Sequence, residues 1–209
     1  MSDPKVFYDL RQVVYDTGIV VAEANDILAA EDIDDMTNYA EAAEADGAVL
    51  KNDGTGGTTG LTAVAARIEH PRNVVITLVI DGLTAGNVRV CGIGMNGIPT
   101  NELFSLVAGT LTYTGNVPFL RVDEVHVWGV TGTLSTTDTM SIGVGAKIGL
   151  PMGSDCQLFD VVKERFNLAD IAITPANINR TYGTYTPTST LDGAKALEIW
   201  YVTKRTLTY

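Results

Sequence analysis

The fold is decided by a stretch that reads NVVITLVIDGLTAGNVRVCGIGMNGIPTNELFSL (73–106), then GTLTYTGNVPFLRVDEVHVWGVTGTLS (109–135), then TMSIGVGAKIGLP (139–151). Short runs of Val, Ile, Leu, Thr and aromatic residues are separated by the turn sequences DG, AGN, NG, TGN and TG. Those residues supply the tight or left-handed conformations that β-hairpins need. The stretch therefore predicts successive antiparallel strands.

The alternation of apolar and polar residues along each strand predicts which strands lie inside. Residues 74–80 are apolar on both faces, which is typical of a central or covered strand. The alternation changes phase near Cys91, as a β-bulge would cause. Ile142, Val144, Ala146 and Ile148 alternate with Ser141, Gly143, Gly145 and Lys147, which predicts one buried face and one bare face. A bare glycine face allows another surface to approach closely.

The first sixty residues differ from the rest of the chain. Asp3-Pro4 begins a predicted helix with Val6, Leu10 and Val13 or Val14 on one face, and NYAEAAEADG (38–47) is a second, short helix. The Gly/Thr-rich segment Lys51–Gly60 reads as a flexible link. We therefore predict an N-terminal arm over residues 1–60, partly helical or extended, and a β-sandwich domain over residues 61–209.

The remaining elements complete the predicted sandwich. Residues 62–69 are a plausible first strand, and residues 102–106 and 110–114 make a further pair of strands. Residues 156–173 fit a helix or a strand equally well. Leu197, Ile199 and Tyr201 predict a closing strand. The predicted fold class is mainly β, an antiparallel, jelly-roll-like β-sandwich with an N-terminal extension.

Composition excludes several classes of function. The 209 residues are 45% hydrophobic, which suffices for a core, and the net charge is −11. No Lys/Arg cluster is present, so nucleic-acid binding is disfavoured, because phosphate contacts need one. No apolar run reaches the roughly 18 residues of a membrane span, and no signal peptide is visible. We expect the chain to be made in a cytosol and to bind neither nucleic acid nor membrane.

No residue pattern points to catalysis, a cofactor or a metal. His70 and His126 have no neighbours in sequence that suggest a base, a nucleophile or a ligand set. The acidic run 31–35 lacks the ligand spacing of a calcium loop. Cys91 reads as a small buried hydrophobic residue, and a Cys91–Cys156 disulfide stays open, since spacing alone cannot place the two residues. The sequence therefore predicts no enzyme and no catalytic, cofactor-binding or metal residue.

Aromatic residues crowd the C-terminal end of the chain. Their two interpretations are core packing and an exposed contact patch, because aromatics are enriched where proteins meet. They are Tyr182, Tyr185, Trp200, Tyr201 and Tyr209.

Three segments together resemble a known group of proteins. They read GNVRVCGIGMNGIPTNELFSL (86–106), TYTGNVPFLRVDEVHVWGVTGT (112–133) leading to DTMSIGVGAKIGLP (138–151), and NRTYGTYTPTSTLDGAKALEIWYV (179–202). Their order resembles that of virion structural proteins of tailed bacterial or archaeal viruses, which decorate or stabilise the capsid or build neck and tail parts. The resemblance covers about residues 73–202, and the first sixty residues lie outside it.

The resemblance implies a β-sandwich that works by contact, in many copies and without chemistry. The expected function is a capsid decoration or cement protein of a virion, a homo-oligomer whose partners are the major capsid protein or other virion proteins. A tail or neck ring component is the first alternative. A carbohydrate-binding module for host attachment is the second, although the only tryptophans, Trp128 and Trp200, lie far apart in sequence.

Overall fold

A computed structural model describes residues 5–15, 23–32, 48–51, 67–80, 82–135, 137–153 and 155–207. Contacts divide the chain into two compact units. Unit 1 comprises Met1–Val21 with Ala146–Tyr209, and unit 2 comprises Ala22–Gly145. The sequence predicts a boundary at residue 60, between an N-terminal arm and a sandwich domain. That division differs from the two compact units, and it stays a prediction.

Unit 2 is built from antiparallel strands. They are β2 (Glu23–Asp32), β3 (Ala48–Lys51), β4 (Arg67–Val79), β5 (Leu83–Gly94), β6 (Pro99–Val107), β7 (Thr112–Thr114), β8 (Phe119–Gly132) and the first part of β9 (Thr139–Gly149). Their order is β9-β4-β8-β5-β6, with β2 on β9, β3 on β8 and β7 on β4. Val74, Ile76, Val125, Val127 and Ile142 are completely or almost completely buried in its core.

Two details of unit 2 bear on predictions made from the alternation of apolar and polar residues. The register between β5 and β8 does shift between Cys91 and Gly92, but the extra residue is Asp123 of β8, and burial in β5 keeps its two-residue period through Cys91. The glycine face of β9 is approached closely, because a Cβ added at Gly145 would lie 2.3 Å from the side-chain oxygen of Asn73. Asn73 is itself completely buried and donates to the carbonyl oxygen of Gly115 at 3.0 Å. The predicted burial of Ala146 is wrong, because this residue is exposed.

Unit 1 contains the two ends of the chain. Its strands are β1 (Lys5–Tyr15), the end of β9, β10 (Cys156–Phe166), β11 (Ala169–Ile171), β12 (Ile178–Asn179), β13 (Thr184–Tyr185) and β14 (Leu197–Leu207), with a short 3-10 helix at Pro175–Asn177. One sheet has the order β1-β14-β10-β11, and β12, β13 and the end of β9 pair separately. Both groups contribute to one core, in which Tyr185, Leu197, Ile199 and Tyr201 are buried.

The structure confirms the predicted fold class, since the chain is mainly antiparallel β in two sheets. The helix predicted from Pro4 is wrong, because residues 5–15 form β1 and every one of them pairs with β14. Within the described residues, 156–166 is a strand rather than a helix. β7 pairs with β4, so the expected pairing of residues 110–114 with 102–106 is also wrong.

Several predicted segments lie outside the described residues. They are the short helix 38–47, the link 52–60, and residues 62–66 of the predicted first strand. The described part of that strand, from Arg67, belongs to β4.

Candidate functional site

The side of the β1-β14-β10 sheet that faces away from the core of unit 1 carries an unusual set of exposed apolar side chains. Alternate residues of these strands, such as Tyr15, Ile199 and Tyr201, are buried, so the residues between them point the other way. We call this side the outer sheet face. Its exposed apolar residues are Val6, Tyr8, Leu10 and Val14 of β1 and Phe159 and Val162 of β10, and its half-buried ones are Trp200 and Val202 of β14.

The outer sheet face is apolar near its middle. Leu10 is 63% exposed and lies opposite Val202 in the sheet register. Tyr8 is 57% exposed, and its ring meets the edge of the Phe159 ring with centroids 4.9 Å apart at 67°. Edge-to-face aromatic pairs of this kind contribute about 0.5–1.5 kcal/mol beyond the area they bury. A cluster of exposed apolar side chains is typical of a site that contacts another molecule.

Cations surround the tryptophan of this face. The Lys163 ammonium lies 5.3 Å from the centroid of the Trp200 ring, and the Arg165 guanidinium lies 6.0 Å from it. Lys163 also pairs with Asp170 at 3.0 Å, and Arg165 pairs with Glu198 at 3.5 Å. Trp200 is therefore held among charges and presents a covered ring rather than a bare platform.

The C-terminal aromatic residues do not form one patch. Tyr185 and Tyr201 are buried core residues, whereas Tyr182 is exposed and Trp200 belongs to the outer sheet face. Tyr209 lies outside the described residues. Core packing is thus the correct interpretation for Tyr185 and Tyr201.

A buried carboxylate anchors the loop that follows β13. Glu164 is completely buried, and its two oxygens accept four hydrogen bonds. The donors are the hydroxyl of Tyr185 at 2.5 Å, the backbone N–H of Thr188 at 2.9 Å, the backbone N–H of Ser189 at 3.0 Å and the hydroxyl of Ser189 at 2.5 Å. Burial, followed by the hydrogen bond to Glu164, raises the pKa of Tyr185 far above its ordinary value. This network holds a loop in place, and Glu164 acts as a structural anchor.

The two histidines lie on different strands of unit 2. His126 lies in β8 with Nε2 3.1 Å from a carboxylate oxygen of Glu124. Two residues further on, the Trp128 ring has the Arg89 guanidinium 5.5 Å from its centroid. His70 is half-buried in β4. Across the part of the chain that the structure describes, no group of three His, Cys, Asp or Glu side chains could hold a metal ion.

Both cysteines are free thiols, so Cys91 and Cys156 do not form a disulfide. Cys91 is half-buried rather than buried. Cys156 lines an open depression of about 300 Å³ with Phe7, Asp9, Arg11, Thr203 and Arg205. The charged groups there pair with neighbours, Asp9 with Arg11 at 3.1 Å and Arg205 with Asp155 at 2.7 Å. The depression therefore presents ion pairs rather than polar groups that converge on a ligand.

Sequence reasoning missed the outer sheet face because it assigned β1 to a helix. In a helix, Val6 and Leu10 would lie on one buried stripe, whereas in β1 they are exposed. A signal was present in KVFYDLRQVVY, which is rich in Val and aromatic residues that favour strands.

Comparison with known proteins found no family model, no curated protein and no solved structure that matches this chain. Among the described residues, no helix has both the length and the apolar character needed to cross a membrane.

Proposed function

We propose that this chain is a structural virion protein of a tailed virus, which decorates and stabilises the head lattice in many copies and acts without chemistry. The observation that carries the proposal is the outer sheet face, an exposed apolar surface on a rigid antiparallel sheet. Its partners are the major capsid protein or other virion proteins. The pattern of segments shared with virion proteins supports the same assignment.

A contact role suits this surface energetically. Burying a large apolar side chain contributes about 1.5–3 kcal/mol, so a few of these residues suffice for a specific but weak single contact. Each copy needs only a modest patch, on the order of 800 Å² per partner, because repetition on a lattice supplies avidity. Among the described residues, no group of three His, Cys, Asp or Glu side chains could hold a metal ion.

The carbohydrate-binding alternative is disfavoured by the surroundings of the two tryptophans. Sugar rings stack on open aromatic faces, but Trp128 has Arg89 beside its ring, and Trp200 has Lys163 and Arg165. A ligand would first have to displace these cations, each of which contributes about 0.5–1 kcal/mol at an exposed site.

Immunogold labelling of intact particles with an antibody to the purified chain tests the proposal. We expect many labels spread over the head. Labels confined to the neck or tail would move the chain to a ring component there. Absence from particles, together with binding on a glycan array, would overturn the proposal.

Binding to particles that lack this chain tests the surface itself. Leu10→Ser removes an apolar group from the outer sheet face, and Leu103→Ser is the matched control, because Leu103 is 49% exposed on β6 of unit 2. We expect Leu10→Ser to weaken cosedimentation with particles by about tenfold, which corresponds to about 1.4 kcal/mol. Equal effects of the two substitutions would show that the outer sheet face is not the contact.

A further inference from the structure

β1 is the outermost strand of its sheet among the described strands, and it is long for such a position. All eleven of its residues pair with β14 through one edge. In an antiparallel strand, alternate residues direct their N–H and C=O groups to opposite edges, so half of these groups point away from β14. An edge of this kind is a template for another strand.

The sequence of β1 is complementary to itself in one antiparallel register. When Leu10 lies opposite Leu10 of a second copy, Asp9 faces Arg11 and Arg11 faces Asp9. Oppositely charged pairs that face each other across two strands stabilise a sheet. In this register the apolar residues also meet apolar residues: Val6 faces Val14, and Phe7 faces Val13.

The local charge permits two copies to approach at this place. The chain has 14 Lys and Arg against 25 Asp and Glu. The strands β1, β10, β11 and β14 together carry six Lys and Arg against five Asp and Glu. The four-stranded sheet is therefore almost neutral, so its own strands add little net repulsion between two acidic chains.

We propose that two copies of this chain associate edge to edge through β1, antiparallel about a two-fold axis at Leu10. The two four-stranded sheets then become one sheet of eight strands, and the two outer sheet faces become one continuous apolar surface. A two-fold contact of this kind uses the same residues in both copies. This inference rests on the proposed function and deepens it, because it names the contact through which the protein forms its homo-oligomer.

The contact is reversible. A single strand pair buries less than the roughly 800 Å² per partner of a standard interface. We therefore expect the dimer population to rise with protein concentration in sedimentation velocity. Multiple copies on one particle would strengthen the contact further.

Cysteine cross-linking tests the register. Residues directly opposite each other have Cα atoms about 4.5–5.5 Å apart, which is within disulfide range. In a background with Cys91→Ala and Cys156→Ala, Leu10→Cys should form a disulfide-linked dimer under mild oxidation. Tyr8→Cys is the matched control, because four residues separate it from its own copy along the strands, about 13 Å. Both positions are more than half exposed, so neither substitution disturbs the core.

Charge exchange tests the pairing without cysteine chemistry. Asp9→Arg places two arginines opposite each other in each half of the contact, and Arg11→Asp places two aspartates there. Each single variant should weaken dimerisation at least threefold. The double variant restores opposite charges and should regain the affinity of the original chain. Circular dichroism checks that each variant keeps its strands.

Two results would overturn the inference. One is equal cross-linking by Leu10→Cys and Tyr8→Cys, and the other is a double charge variant that dimerises no better than the singles. All measurements use the purified full chain without particles. A chain that dimerises through β1 but is absent from virions would refute the proposed function alone.

Discussion

Replacing Glu164 by Gln should destabilise unit 1 strongly although it changes only one atom of the side chain. The carboxylate accepts four hydrogen bonds, two at each oxygen, and one donor at each oxygen is a backbone N–H. Whichever way the amide turns, its NH₂ group faces the N–H of Thr188 or Ser189. That backbone N–H then loses its acceptor beside a side chain that is completely buried.

The magnitude follows from these contacts. A hydrogen bond to a charged group contributes about 1.5–3 kcal/mol, and a donor left unsatisfied costs about 1–3 kcal/mol. The Ser189 and Tyr185 hydroxyls can reorient to accept, which recovers part of the loss. We therefore expect Glu164→Gln to lower the free energy of unfolding by about 3 kcal/mol.

Tryptophan fluorescence can follow unit 1 alone, because Trp200 lies in unit 1 and Trp128 in unit 2. In a Trp128→Phe background, urea unfolding monitored at Trp200 gives the free energy of the transition. Asp160→Asn is the control on the same strand, since the Asp160 side chain is 42% exposed and its ion pair with Arg180, at 3.4 Å, lies at the surface. It should change the free energy by less than about 1 kcal/mol. A Glu164→Gln effect no larger than that of Asp160→Asn would refute the reasoning.

Three further predictions concern local structure. Leu168 is 72% exposed and has a φ of 67° in the two-residue turn between β10 and β11. Leu168→Gly should therefore have a higher melting temperature than Leu168→Ala, with a free energy of unfolding larger by about 0.5–1 kcal/mol. The opposite order would contradict this conformation. Gly145→Ala should lower the free energy of unfolding by about 1–3 kcal/mol, because its Cβ would overlap Asn73, and an unchanged melting temperature would show that the contact is loose. Hydrogen bonds from the Lys195 side chain and from the backbone N–H groups of Lys195 and Ala194 lower the pKa of Asp192 from 3.8 to about 2. This depressed folded-state pKa stabilises the fold above pH 3.8, and the stabilisation is lost as the pH falls towards 2. Asp192→Asn should therefore lower the melting temperature at pH 7 and lower it less at pH 3, and an equal effect at both pH values would argue against the pair.

Part of the fold was accessible from the sequence. Local alternation predicted the strands around Val125 and Val127 and the closing strand with Ile199, because a two-residue period determines which side chains are buried wherever one face meets the core. Features of this kind depend on residues close together in the chain.

The outer sheet face was not accessible in this way. Val6, Leu10 and Val14 fit a helical stripe as well as they fit a strand, and their neighbours in sequence do not decide between the two. The decision comes from β14, whose backbone groups pair with all of β1 although the paired residues are 182 to 202 positions apart in the chain. Likewise, the acidic side chain of Glu164 gave no sign of burial until the loop with Thr188 and Ser189 surrounded it with donors.

The sequence by itself therefore determined the class of fold, because strand periodicity and turn residues are local properties. Tertiary structure alone decided which strand lies at the edge of a sheet, which apolar residues stay exposed, and which polar group is buried. Those outcomes depend on pairings between distant segments, and short-range patterns do not record them.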